Sequence, residues 1–405
     1  MVGEFVKTIS SQLKTGLLRA QSASQISENQ LQPLPPVWEL DVWQRLQTLP
    51  LPDTYLATVA DRIAQAITAW QKNLDAPNSL VLLGSPVDDT AAVLTAALTS
   101  IAPEANPDVD PERAQRWQTL RPLDWMARPA DPMSIKAQLV KALEQLSETD
   151  EDDGEDHPND LSRRQTVIVL PPLEQCFLRC IGGWQGVEWL RDTAGAQRDF
   201  FWLIPCNTWA WAFLTRVCQV DAYLDQTADL PHLDRDGLCD WLTPIGETLA
   251  NSPAEDLSSS VLGKISWSNF AEMSEDSPEI ARLLWLRSLR LQAADLPEQP
   301  QPLKPDDVLP VPFYQVQPTL PSLPDLEALD YHLVHALMMH GVTPRSQLAL
   351  SLGQPESIVH VRGQTLRQAG VLRLSRQGLS IQPIHYPRLA SEFASNNFLT
   401  GDDRR

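Results

Sequence analysis

The 405-residue sequence predicts an α/β chain: a parallel sheet with helices on both faces, a small helical lid and a C-terminal winged helix-turn-helix. Three observations carry this. Apolar, β-branched strands such as Leu80–Leu83, Thr166–Leu170 and Phe200–Ile204 alternate with helical stretches, the pattern of parallel strands joined by right-handed crossovers. The strand pattern stops after Asp221 and amphipathic helices follow. The last 80 residues run helix, turn, helix, turn, helix and hairpin.

Residues 1–37 read as an isolated amphipathic helix and a Gln/Ser/Pro linker. Val6, Ile9, Leu13 and Leu17 recur at helical spacing, with Lys7, Lys14 and Arg19 off that stripe. Such a face either packs on the body or docks on a partner or an anionic membrane surface. Residues 38–220 form the α/β domain. Asp53 caps a helix over Thr54–Lys72, strand Leu80–Leu83 follows, and an alanine-rich helix runs from Thr90 to Ile101. After a Pro/Asp-rich loop at 103–113, a short strand is expected around Arg121–Met126 and a helix over Pro132–Leu146. The acidic run at 148–157 lacks calcium-loop spacing and reads as a solvated loop. Val167–Leu170 is a buried central strand closed by Pro171-Pro172. Helix Trp184–Arg191, strand Phe200–Ile204 and helix Trp209–Val217 complete the domain.

Residues 221–293 are the lid, with a strong helix at 278–292, and residues 294–325 are a proline-rich linker. The domain at 326–405 contains helices Leu326–His340, Arg345–Leu352 and Glu356–Ala369, then strands Val371–Leu374 and Leu379–Gln382.

The net charge of −20 is uneven. From Asp325 onward there are eight basic and seven acidic residues, so nearly all the excess lies in the first 324. That body repels nucleic acid; the tail does not. Five cysteines form no disulfide framework and no secretory apolar region opens the chain, so a cytoplasmic protein with reduced thiols is expected. The most apolar stretch, Phe200–Cys218, contains Pro205, Asn207 and Arg216 and is not read as a membrane span.

The stretch Ser79–Thr90 has the layout of a phosphate-binding loop, Gly-x-x-x-x-Gly-Lys-Ser/Thr, between a strand and a helix. Counted from Gly84, however, Asp89 stands at the second glycine, Thr90 at the lysine and Ala91 at the hydroxyl residue. Val167–Leu170 then occupies the place of a metal-binding strand, and Asn207 that of a polar sensor. Leu230-Pro231 and Ser277–Arg282 follow like the entry and main helix of a lid. In this order the chain resembles an AAA+ or STAND-type P-loop ATPase with a C-terminal winged helix, as in origin-recognition and signalling ATPases. The resemblance spans roughly residues 50–390 and rests on order and spacing.

It implies that any nucleotide would meet Gly84, Ser85, Thr90, Glu174, Asn207 and Arg282. Yet no lysine or arginine occurs from Ser79 to Leu98, and Asp88 and Asp89 place negative charge where a triphosphate belongs. Proline at 171 cannot ligate magnesium, and Glu174 is four positions past the strand end. Losing a single electrostatic group costs roughly 10²–10³ in rate, so losing two leaves little hydrolysis. The expectation is therefore no enzyme, no catalytic residue, no bound metal and no cofactor, with ATP through altered ligands as the alternative. Asn207 is read as a helix cap or a nucleotide sensor, and Arg282 as a surface charge or a sensor.

Cys176 and Cys180 lie four apart on an expected helix, with no second pair to complete a metal site. His332, His335 and His340 share one helix without an intervening acid, which leaves structural or surface roles. Arg362 and Arg367 on the third helix and Arg373 and Arg376 on the wing are the candidate DNA contacts, because no acidic residue occurs between Ser357 and Ser391. The partner expected first is a protein, then DNA through these arginines, then a membrane surface through residues 4–20. No small-molecule substrate is read. The composite expectation is a regulatory or scaffolding protein on an inactive ATPase frame; the alternative is a DNA-binding regulator with an active one.

Overall fold

The computed structural model describes residues 31–101, 117–123, 125, 128–147, 161–224, 226–250, 265–304 and 307–402. The helix expected at 4–20, the loop at 103–113 and the acidic run at 148–157 lie outside the described residues. In chain order the strands are β1 (Leu31–Gln32), β2 (Ser79–Gly84), β3 (Gln118–Leu120), β4 (Thr166–Val169), β5 (Phe200–Asn207), β6 (Thr227–Asp229), β7 (Leu289–Gln292), β8 (Phe313–Gln315), β9 (Leu372–Leu374) and β10 (Leu379–Ile381). The helices are α1 (Pro36–Thr48), α2 (Asp53–Lys72), α3 (Thr90–Ser100), α4 (Ile135–Ser147), α5 (Gln185–Ala196), α6 (Thr208–Cys218), α7 (Arg235–Ala250), α8 (Trp267–Ser274), α9 (Pro278–Ser288), α10 (Ala328–His340), α11 (Arg345–Leu352), α12 (Glu356–Gln368) and α13 (Tyr386–Ser395).

The chain divides into two compact units. One joins residues 53–232 to residues 321–405; the other joins residues 1–52 to residues 233–320. In the first, five parallel strands lie in the order β3-β4-β5-β2-β6, the P-loop-NTPase-like sheet the sequence predicts. β2 is buried along its whole length and β5 nearly so, because helices cover the sheet and a strand covered on both faces must be apolar throughout. Trp202, Phe201 and Ile204 of β5 are fully buried. Trp70 of α2 packs on Phe201 with ring centroids 5.5 Å apart.

The C-terminal segment does not stand apart from this sheet. Helix α10 is buried continuously from Leu333 to His340. An isolated three-helix unit would leave one face of its first helix wet, so this pattern requires cover on two sides. Met339 belongs to the same apolar cluster as Val81, Leu83, Ile168, Leu170 and Ile204 of the sheet. Helices α10–α12 precede the antiparallel pair β9–β10, and Thr343 makes an isolated antiparallel bridge to Leu379. Gly378 lies against the Thr343 backbone with φ of +146°, and a Cβ there would run into that carbonyl.

The second unit is separate. α1, α7, α8 and α9 pack together, and Trp38, Phe270 and Trp285 are fully buried. A three-stranded antiparallel sheet, β1-β7-β8, joins them.

Several expectations need correction. The strand expected at Arg121–Met126 lies at Gln118–Leu120, ahead of Pro122. The sheet does not end at Asp221: β6 pairs with β2 over Thr227–Asp229, and its three residues were too few for a visible pattern. The α/β domain does not begin at residue 38, since α1 belongs to the second unit. The stretch 294–325 is more than a linker, because Phe313–Gln315 pairs with β7. The helix expected over 278–292 stops at Ser288, and Leu289–Gln292 is a strand. Cys176 ends a short 3₁₀ turn, and residues 177–184 run through irregular chain, a bend and a turn in place of the helix expected there. Among the described residues, no helix is long and apolar enough to cross a membrane.

Candidate functional site

The loop after β2 is folded on itself. Ser85 Oγ donates to Asp88 Oδ2 at 2.7 Å, and the Asp88 N–H donates to Ser85 O at 3.2 Å. Asp89 is the N-cap of α3: its Oδ1 accepts the Ala92 N–H at 2.9 Å. A phosphate at a helix N-terminus would take those same donors. Here a carboxylate already satisfies one and adds negative charge at the positive end of the dipole. Thr90, at the lysine position, is buried against Gly84.

The second element is the turn after β4. Pro171-Pro172 leads into the 3₁₀ turn Leu173–Gln175, which aims Glu174 back toward the end of β5. Glu174 Oε2 accepts the Asn207 N–H at 3.1 Å. Burial pushes the Glu174 carboxyl up from 4.5 to about 7, while hydrogen bonds and Arg128 oppose the rise. Such a group is a poor permanent counter-charge for magnesium.

Asn207 joins both halves. Its Oδ1 accepts the Ala210 N–H at 2.8 Å and caps α6, and its Nδ2 donates to the carbonyl of Met339 on α10 at 3.0 Å. The cap expected of Asn207 is thus present, and its amide donor bonds the backbone of α10.

Arg128 is a further tie across the seam. It donates to Gln347 Oε1 at 3.0 Å, to Glu174 O at 2.7 Å and to His340 O at 3.1 Å. Burial lowers this guanidinium to about 10, against the pull of Glu174. Gln347 Nε2 donates to Pro129 O at 2.7 Å, so one amide grips the segment from two sides. Arg179 completes the seam: its N–H donates to His340 Nε2 at 3.2 Å, and its guanidinium reaches His335 Nδ1 at 3.4 Å. Arg128, Arg179 and Gln347 were not singled out from the sequence. The available signal was the run Ala336-Leu337-Met338-Met339, which gives α10 no wet face.

What remains of the crevice is small. Its volume is about 230 Å³, and its walls include Asp88, Asp89, Glu174, His340, Arg373 and Gln377. Ligand pockets are usually about 300–1,000 Å³. The residues do not fit a magnesium triphosphate: the loop has no cation, its helix N-terminus is capped by Asp89, proline replaces the metal ligand, and α10 and the wing form one wall. A larger groove of about 550 Å³ lies between α2 and β6, lined by Arg62, Gln65, Asp229 and His232 among others. Arg62 already donates to the Asp229 carbonyl within it.

Of the other expected site residues, Arg373 lines the smaller crevice. Arg282 lies in the second unit, where it donates to Leu49 O at 2.9 Å, pairs with Glu279 at 3.6 Å and stacks 5.2 Å from the Trp241 ring centroid. Arg362 does not face outward as a groove-reading side chain would. Its Nε donates to Asp330 Oδ1 at 2.9 Å, its second nitrogen to Asp330 Oδ2, and it pairs with Glu327 at 3.0 Å. Arg367, Arg373 and Arg376 are exposed, and Arg373 Nε donates to Ser380 Oγ at 3.0 Å. Among the described residues no cluster of His, Cys, Asp and Glu is arranged to hold a metal.

No family model matches the chain, and no curated protein matches it either. Among solved structures, it is similar to C. elegans PCH-2, with a TM-score of 0.35 and 15% identity over 63% of this chain and 67% of that one. It is also similar to the Aeropyrum pernix ORC1 protein in complex with DNA, with a TM-score of 0.34 and 11% identity over 88% of this chain and 98% of that one. Likenesses this distant carry no statement about function, and the architecture stands on the strand order and the shared core described above.

Proposed function

We propose that the chain is a non-hydrolysing regulatory or scaffolding protein on an AAA+-like frame, with a winged helix locked over the former nucleotide crevice. The observation that carries this reading is the Asn207 bridge: the residue at the sensor position spends its amide donor on the Met339 carbonyl. A nucleotide polar group would have to displace a helix. The fused domains then act as one rigid body that presents surfaces to a protein partner. Isothermal calorimetry and a phosphate-release assay with magnesium-ATP test this. No heat and no turnover are expected; micromolar binding with turnover that is lost in Glu174→Gln would overturn it.

A second reading keeps one supporting observation. Arg367 on α12 and Arg376 on the wing are both exposed, with no acidic residue between Ser357 and Ser391. A duplex could meet them by phosphate neutralisation. A gel-shift series across salt tests this, and salt-independent or absent binding counts against it.

A further inference from the structure

The seam between α10 and the sheet depends on two neutral histidines. His340 is buried, and its Nε2 is the acceptor for the Arg179 N–H. A backbone N–H only donates, so Nε2 carries no proton. His335 is buried too. A guanidinium has no acceptor, so His335 Nδ1 must accept from Arg179 and its Nε2 must donate to Leu399 O, at 2.9 Å. The two rings therefore hold opposite tautomers, and both grip one residue of the loop after β4. Protonating either ring turns an acceptor into a donor facing a donor.

Apart from the backbone of Leu399 beside His335 and of Glu174 beside His340, the surroundings give the added charge little relief. From the segment before α4, the Arg128 guanidinium bonds the His340 carbonyl. From the turn after β4 come Arg179, Glu174, Cys176 and Cys180. Of these the carboxyl of Glu174 is the only acid, and burial already favours its neutral form. From α6 and α13 the rings of Trp209 and Phe393 pack on His335, and Phe177 packs on His340 at 4.7 Å. His332 adds a further titratable ring on α10 itself. Asp88, Asp89 and Arg373 line the crevice that His340 reaches. Burial, joined by Arg179, pushes His335 down to about 4, and burial with Arg128 and Arg179 pushes His340 well below the usual histidine range.

We propose that His335 and His340, clasping Arg179, form an acid-released latch that frees the winged helix from the crevice over Gly84. This rests on the reading that the winged helix holds that crevice shut. At neutral pH both rings accept and the latch holds. Below the ordinary histidine range an open state, with both rings solvated, takes up two protons that the closed state refuses.

Hydrogen exchange of the full chain at pH 7.5 and 5.5, corrected for intrinsic rates, tests the latch. Residues 172–183 and 333–343 should lose protection several-fold at pH 5.5, the proton that Glu174 gives up on opening offsetting part of the histidine uptake, while β2 and β5 keep theirs. The double variant His335→Gln/His340→Gln keeps an acceptor at each position and cannot titrate, so its response should fall to within twofold. If the double variant does not fold, as read by circular dichroism at pH 7.5, His340→Gln alone should still shrink the response. Opening of the variant equal to that of the unmodified chain overturns the latch, and so does equal loss of protection in β2 and β5, which marks global unfolding. Magnesium-ATP at pH 7.5 separates the two proposals: binding there overturns the closed crevice, whereas an unchanged acid response in the variants overturns the latch alone.

Discussion

Glu174 and Asn207 hold each other across the ends of adjacent strands, with Oε2 of the first accepting the backbone N–H of the second at 3.1 Å. In an ATPase of this layout these positions would face magnesium and phosphate. Here the contact closes the strand ends on themselves, and the Asn207 amide passes the tie on to Met339. The corner is a structural joint.

That joint has a measurable strength. Asn207→Ala removes a helix cap worth about 1 kcal/mol and leaves the buried Met339 carbonyl without its donor, a further cost of about 1–3 kcal/mol. Asn207→Asp keeps the cap but offers no donor and adds an acid beside Glu174. Denaturant unfolding should therefore rank the unmodified chain above both variants. An alanine variant of unchanged midpoint would mean that the bond to Met339 adds nothing.

Glu174 makes stability pH-dependent in a stated direction. Its folded pKa of about 7 lies above its ordinary 4.5, so between these values the folded state binds more protons than the unfolded one. Its contribution is complete below pH 4.5 and is lost as pH rises through 7. Glu174→Gln, which still accepts from Asn207, removes that loss. The variant should gain stability over the unmodified chain as pH rises from 5 to 8, on the order of 3 kcal/mol at the upper end. His335 and His340 run the other way, since their depressed values remove stability as pH falls below 6.5. Urea titrations at several pH values resolve the two slopes, and a flat difference between variant and parent would place Glu174 in water.

Gly84 is fixed by close contact. A Cβ there would run into Thr90 Oγ1 and come within 2.9 Å of Leu230 Cδ1. Gly84→Ala should cost about 1–3 kcal/mol through overpacking. Thr90→Lys, which restores the lysine of the motif, puts an ammonium in a space where the threonine is only 4% exposed. It should destabilise without creating ATP affinity, because Asp89 still occupies the helix N-terminus. Thermal melts with and without magnesium-ATP check both, and a ligand-dependent rise for Thr90→Lys would show the phosphate site to be intact.

The sheet was legible because buried parallel strands are near-continuous apolar runs, and Leu80–Leu83, Val167–Leu170 and Phe200–Ile204 are such runs. The winged helix was legible from its turn residues, Gly341, Pro344, Gly353 and Gly370. The missing lysine and Pro171 were plain in the loop and strand end. The union of these two domains was not. It depends on Arg128, Arg179, Gln347 and His340, polar residues from four separate segments, and local pattern says nothing about which distant polar groups meet. β6 escaped for a different reason: three residues contain too few alternations to show a period.

The arginines of the winged helix divide into structural and exposed sets, and substitution separates them. Arg362 grips Asp330, which is 1% exposed, and Glu327. Removing one partner of a buried pair strands the other charge, so Arg362→Ala should cost about 3 kcal/mol in stability. Arg367→Ala and Arg376→Ala remove exposed charges and should leave stability within about 0.5 kcal/mol. If the domain meets a duplex, those two variants weaken it and Arg362→Ala weakens it only through misfolding. The three remaining contacts, Arg367, Arg373 and Arg376, then set a log–log salt slope of about −3, at roughly −0.9 per phosphate. A slope near zero in the unmodified chain, with full stability in Arg367→Ala and Arg376→Ala, would leave this face to a protein.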